Sequence, residues 1–293
     1  MKYRRTPCKV LAVLLLAASP AVVAAQCLNE QAAADMAARW IDKQTLRGFA
    51  PGMTLADAAC SRDRFVTALR ANPQYGGRIV GYKAALTNPD LQKRFAANAP
   101  VRGVLLSRML TMESGFPVFG GYGARPVFEA DLLVEVGDDA INDARTPLEA
   151  LQGLSRVQPF VELADLVVAD GEPLDASIIT AINAGARSGI FAHGIAVQPT
   201  QAFADALRDM RVVMTDDAGN ERANTTGAAI MGHPLNAVLW LIEDVRKSGG
   251  RLRVGDKLSL GSFSAPQIPT RETRIKVRYL GLPGDPEINL RFR

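Results

Sequence analysis

Histidine is scarce in this sequence. His193 and His233 are its only two, they stand in different segments, and neither has a cysteine cluster beside it, so a four-ligand zinc site is not expected. No apolar run beyond the N-terminus approaches the ~20 residues that a membrane-spanning helix needs. A nucleophile elbow is missing, and Gly227 and Gly232 belong to no G-x-G-x-x-G run, so serine-hydrolase and dinucleotide-binding readings lack support. Repeats, low-complexity tracts and charge blocks are absent as well. With 48% hydrophobic residues, the chain reads as an ordinary globular protein with a sizeable core.

What is present begins with an export signal. Lys2, Arg4, Arg5 and Lys9 precede the apolar residues 10–18, and Val23 and Ala25 occupy the small-residue positions of a cleavage site before Gln26. Residues 1–25 therefore read as a cleavable secretory signal, and the expected location is the bacterial periplasm. An uncleaved anchor and, from Arg4-Arg5, twin-arginine export are the alternatives. Removing the segment takes away four basic residues and no acid, which cancels the formal charge of +4. The basic balance thus belongs to the signal and gives no argument for nucleic acid or an acidic membrane surface.

Cysteine usage shifts in the same way. Cys8 leaves with the signal, and Cys27 and Cys60 remain. A pair in an oxidising compartment points to a disulfide, with two separate buried thiols as the alternative.

Asn29 is placed to cap a helix that runs to about Arg47, with Ala33, Ala37, Trp40 and Ile41 on one face. Thr54 and Asp57 have capping-box spacing ahead of a second helix that Asn72-Pro73 stops. Residues 26–75 are accordingly read as a helical N-terminal subdomain. From Gly76 onward, short β-rich runs dominate: residues 78–84, 127–136, 159–168, 189–197, 258–263 and 273–279. One clear helix starts at His233-Pro234 and ends at Gly249-Gly250.

Alternation along the strand at residues 128–134 puts Glu129 and Asp131 on one face. A third acid, Glu162, interrupts the apolar run at 160–163, where an unpaired charge is costly. Taken alone, the pattern fits solvated surface acids or an oxygen-only site for a hard divalent cation.

The surrounding blocks favour the second. Gly81-Tyr82-Lys83 with Leu86-Thr87, Gly103-Val104-Leu105, the run from Arg125 to Asp131 (RPVFEAD), Pro159-Phe160-Val161-Glu162 and residues 224–240 (NTTGAAIMGHPLNAVLW) follow one another in order, leading to Gly255-Asp256 and Gly261-Ser262. Together they resemble the fumarylacetoacetate hydrolase superfamily, in its 2-keto-4-pentenoate hydratase and oxalocrotonate decarboxylase branch. The resemblance implies an α+β fold, a mixed β-roll over residues 76–293 beside the small helical subdomain, and a homo-oligomer. It implies Mg²⁺ or Mn²⁺ held by Glu129, Asp131 and Glu162, with Asp131 replacing the usual glutamate. The substrate would be a small 2-oxo acid and the reaction addition of water to a 2-hydroxy-2,4-dienoate. Lys83 matches the active-site lysine, which would pair with the substrate carboxylate or move a proton.

Elsewhere the chain departs from the branch. Val101 replaces the usual acid, which leaves Arg102, Asp165 or a water to substitute for it, and Arg102 and Asn183 are read as substrate-binding residues. Asp165 alone survives from the segment after the third ligand. Asn183 remains from a short conserved block, and Ser188 stands in for its serine. Ser262 either contacts substrate or merely finishes a strand. Decarboxylation or acylpyruvate hydrolysis at the same site, and an exported 2-oxo-acid-binding protein with little turnover, are the alternative functions.

Overall fold

The computed structural model describes residues 1, 27–49 and 52–293; the signal segment lies outside them. Helix α1 (Glu30–Ile41) starts where Asn29 accepts a hydrogen bond from the Ala32 amide. It ends earlier than its apolar spacing suggests, because Lys43 turns left-handed at φ 56°. The turn lets Leu46 leave the helix and bridge to Val168, burying its side chain. Helix α2 (Leu55–Arg70) opens with the expected capping box of Thr54 and Asp57. Cys27 and Cys60 are joined by a disulfide, with Cα atoms 5.6 Å apart.

The remaining elements, in chain order, are β1 (Ile79–Ala85), α3 (Pro89–Arg94), β2 (Val101–Leu106), β3 (Met112–Glu113), β4 (Pro117–Val118), β5 (Pro126–Val136), α4 (Pro147–Gln152), β6 (Leu154–Asp165), α5 (Ala176–Ala181), β7 (Ser188–Phe191), β8 (Ile195–Ala196), α6 (Gln201–Asp209), β9 (Arg211–Asp216), β10 (Glu221–Thr226), α7 (Pro234–Lys247), β11 (Lys257–Ser259), β12 (Arg274–Leu280) and β13 (Glu287–Phe292). His233 caps α7, its Nδ1 accepting from the Leu235 amide at 3.1 Å.

An eight-stranded mixed sheet runs β2-β1-β11-β5-β6-β7-β3, with β8 also paired to β6. A five-stranded sheet runs β10-β9-β12-β13-β4. Alternation on β5 divides its side chains between two cores. Phe128, Ala130 and Leu132 pack toward the smaller sheet and helices α6 and α7. Leu133, with Phe160 of β6, faces the other core, which holds Trp40 and Phe65 of the helical pair and Ile178 and Ile182 around α5. The N-terminal helices therefore have no core of their own but complete one face of the large sheet. Glu129, Asp131 and Glu162 share that face.

Candidate active site

On the long β5–β6 ladder Glu129 lies directly opposite Glu162, and Asp131 lies opposite Phe160. Two carboxylates on one rung repel each other unless a cation intervenes. Lys83, on β1, supplies one positive charge: its buried ammonium pairs with Glu162 Oε1 and donates to the Ala184 carbonyl at 2.8 Å. Glu162 Oε2 is buried and has no hydrogen-bond partner. Burial, and then the facing Glu162, push the Glu129 carboxyl up to about 7, with Lys83 acting in the opposite direction. Burial also raises Glu162 above the ordinary carboxylate range, against the pull of Lys83.

Lys83, Glu129 and Ser262 line a narrow pocket with a cavity volume of about 40 Å³. The rest of its wall is apolar: Leu86, Leu91, Phe95, Leu166 and Ile179. Leu91 and Phe95 come from α3 and the residue after it, which the sequence reading passed over although Asn88-Pro89 marks a helix start. The Asn88 side chain accepts from the Leu91 amide at 2.9 Å, and proline occupies the first turn.

Several expected site residues are engaged elsewhere. Asp131 is fully buried, and its carboxylate accepts from Ser259 Oγ at 2.6 Å, the Gly261 amide at 3.0 Å and the Leu132 amide at 2.5 Å. Among the described residues no group of three or more His, Cys, Asp or Glu side chains is set to hold a metal ion; burial and then Glu162 hold the Asp131 carboxyl well above the ordinary carboxylate range, as they raise Glu129.

Asp165 does not reach the pocket. It accepts from the Ala124 and Arg125 amides at 3.0 and 2.7 Å and pairs with buried Arg187 at 3.0 Å, which fixes the loop that leads into β5. Arg102 points to α7, bonding Asp244 at 2.5 Å and Ser248 at 2.7 Å while stacking 5.3 Å from the centre of the Tyr82 ring. Ser188 pairs with Leu163, so it lies on the face opposite Glu162, and its hydroxyl turns to the Met109 carbonyl.

Asn183 is fully committed too, accepting from the Val104 amide at 2.7 Å and donating to the Val104 carbonyl at 2.9 Å. It opens a left-handed run, Asn183-Ala184-Gly185, with φ of 59°, 54° and 68°. Such a run is costly outside glycine, and here it aims the Ala184 carbonyl at Lys83. Asn183 thus acts on the site by placing a backbone carbonyl and does not touch the pocket.

The fold is that of the fumarylacetoacetate hydrolase family. No family model matches the sequence, and the resemblance rests on individual relatives. The chain is 29% identical over 194 residues to the TodF product hydratase of Pseudomonas putida, covering 66% of this chain and 69% of that protein. It is 25% identical over 238 residues to 2-keto-4-pentenoate hydratase 1 of Dechloromonas aromatica, covering 80% and 87%. Among solved structures, the 4-oxalocrotonate decarboxylase of Pseudomonas putida G7, complexed with magnesium and adipate, superposes with a TM-score of 0.77 at 22% identity, over 91% of this chain and 99% of that one. The fumarylpyruvate hydrolase of Pseudomonas aeruginosa, in complex with Mn²⁺ and pyruvate, gives 0.52 at 12% identity over 76% and 92%.

Proposed function

We propose that the chain is a divalent-metal-dependent lyase that adds water to a 2-hydroxy-2,4-dienoate, giving a 4-hydroxy-2-oxo acid. The observation that carries this reading is the opposed pair Glu129, which lines the pocket, and Glu162, behind it, with Oε2 of Glu162 buried and unpartnered beside Lys83. An oxygen-only pair that one lysine compensates only in part fits a hard cation such as Mg²⁺ or Mn²⁺. Bound there, the ion would act as a Lewis acid toward the 1-carboxylate and 2-oxo oxygens of the substrate. Related hydratases and complexes of structural neighbours with magnesium and Mn²⁺ support the same reading.

Lys83 spends two of its three donors on Glu162 and Ala184, which leaves one for an anionic substrate. The two acceptors also fix the direction of the ammonium. Leu86, Leu91, Phe95 and Ile179 surround the substrate's tail with hydrocarbon, which excludes water from the side chain while the polar end stays at the rung.

Decarboxylation is a second reading, and one observation favours it. Among the described residues Lys83 and Glu129 are the only titratable side chains lining the pocket, and buried Val101 stands where the branch has an acid. Loss of CO₂ needs no activated water, so it places less demand on proton-handling groups. Purified protein, stripped with EDTA and reloaded with Mg²⁺ or Mn²⁺, should consume 2-hydroxypenta-2,4-dienoate, read from its ultraviolet absorbance. CO₂ release from a 2-oxo-enedioate without dienoate hydration would shift the assignment to the decarboxylase. Metal-dependent oxalate binding without either turnover would leave only a binding protein.

We also propose that the protein acts after export, as a homo-oligomer. The basic and apolar residues at the N-terminus and the Cys27–Cys60 disulfide support an oxidising compartment. Mass spectrometry of protein from a periplasmic extract, with the N-terminus expected at Gln26, and light scattering test these two points.

A further inference from the structure

We propose that Asp131 is a positioning residue and not a metal ligand, so that this chain holds its divalent ion with two carboxylates, Glu129 and Glu162. The inference rests on the metal reading above and concerns which of its residues meet the ion.

The first argument is reach. Residues two apart on a strand are about 6.8 Å apart. To meet an ion on the Glu129–Glu162 rung, the side chain at 131 must lean a full pleat along β5. An aspartate does so with one carbon fewer than a glutamate, about 1.5 Å less reach.

The second argument is occupancy of the oxygens. Oδ1 accepts two amides, Leu132 and Gly261, and Oδ2 accepts the Ser259 hydroxyl. Asp131 and Glu162 are both buried behind the pocket wall, but Glu162 keeps one oxygen without a partner, whereas both oxygens of Asp131 are engaged. Its carboxylate is therefore turned into the sheet, across to the segment that follows β11.

That segment needs a brace. Gly261 has φ +106°, and a Cβ there would lie 2.0 Å from Thr87 Oγ1, so the turn is pressed against its neighbour and cannot be held by side-chain packing of its own. The bonds from Asp131 tie both Ser259 and Gly261 to β5 and thereby set Ser262 against the pocket and Glu129. A two-carboxylate site also changes the chemistry. The ion would meet Glu129 and Glu162 alone, and more coordination positions would stay open for oxygen ligands.

The test is Mn²⁺ binding, with water-proton relaxation counting the exchangeable waters on the bound ion. Wild-type protein should keep about four waters on a six-coordinate ion. Asp131→Asn, whose amide can accept from the two backbone N–H groups and donate to Ser259, should keep the same number, with affinity reduced less than about tenfold. Glu129→Gln and Glu162→Gln should each gain a water and lose affinity by a hundredfold or more. About three waters in wild type, or a water gained in Asp131→Asn, overturns the inference alone. Wild-type protein that binds no Mn²⁺ overturns the metal reading and this inference together.

Discussion

Lys83 and Glu162 meet as an ion pair with only 5% and 4% of their side chains exposed, on a rung where Glu129 faces Glu162. The lysine therefore holds together a site that would otherwise repel itself. Replacing Lys83 by Met should leave a buried unpaired carboxylate and cost about 3–5 kcal/mol of stability in the metal-free protein. Urea denaturation with and without Mg²⁺ checks this, because the ion should restore part of the loss. A variant as stable as wild type in EDTA would show that the pair contributes nothing.

The elevated Glu129 carboxyl, pushed up to about 7, predicts how stability follows pH. A folded-state value above the unfolded one means that protonation stabilises the metal-free protein below the ordinary glutamate range, and that this contribution is lost as pH rises through about 7. Cation and proton compete for the same oxygens. The rise in Tm on adding Mn²⁺ should therefore be larger near pH 8 than near pH 5, about one unit or more on either side of that range. An increment independent of pH would contradict this.

Arg102 supplies a prediction that separates structure from chemistry. Its guanidinium bonds Asp244 and Ser248 on and beside α7, so Arg102→Ala should lower stability by about 1.5–3 kcal/mol. KM for a 2-oxo acid should stay within about twofold. A KM increase of tenfold or more with unchanged stability would return Arg102 to the substrate.

How much of this was legible in the sequence differs between elements and side chains. The alternation at residues 128–134 gave the correct facing of Glu129 against Phe128 and Ala130, because that strand is buried on both sides and its register is rigidly specified. The Thr54 capping box and the His233-Pro234 helix start were equally readable, being local. β10 was not, since its residues are polar and it sits at a sheet edge with little burial. β13, by contrast, alternates buried and exposed residues along its length, a signal that was there to be read. The run at 189–197 divides into β7 and β8 around exposed His193, and the run at 258–263 is regular strand only as far as Ser259, after which the Leu260 and Phe263 amides still bond to the Leu132 and Ala130 carbonyls of β5.

Side-chain direction was the harder part. Composition and motif order identify acids and bases but say nothing of whether a neighbouring backbone amide has already claimed them. Asp165, Asn183 and Asp131 are polar residues near the pocket whose capacity is used by main-chain partners 40 to 130 positions away or by an adjacent amide, and such pairings exist only once the sheets close.

Covalent linkage yields another test. The Cys27–Cys60 bridge closes a loop with a sequence separation of 33, so Cys27→Ala with Cys60→Ala should cost about 3–4 kcal/mol in guanidinium unfolding. The same loss should appear when wild-type protein is unfolded in reductant. Pocket chemistry should survive in the fraction that remains folded, since neither cysteine contributes to the wall.

The rung that carries Glu129 and Glu162 also governs which changes the protein can tolerate over generations. Because both carboxylates are mounted on adjoining strands of one ladder, their spacing is a property of the main chain and survives most exchanges of the side chains around them. Inserting or deleting a single residue between them and the fixed ends of β5 or β6 is a different matter: it turns one glutamate through the sheet into the opposite core. Substrate preference can therefore drift through α3 and the apolar wall, while length changes in this hairpin are forbidden, and variation among descendants of this chain should show many substitutions there and no indels.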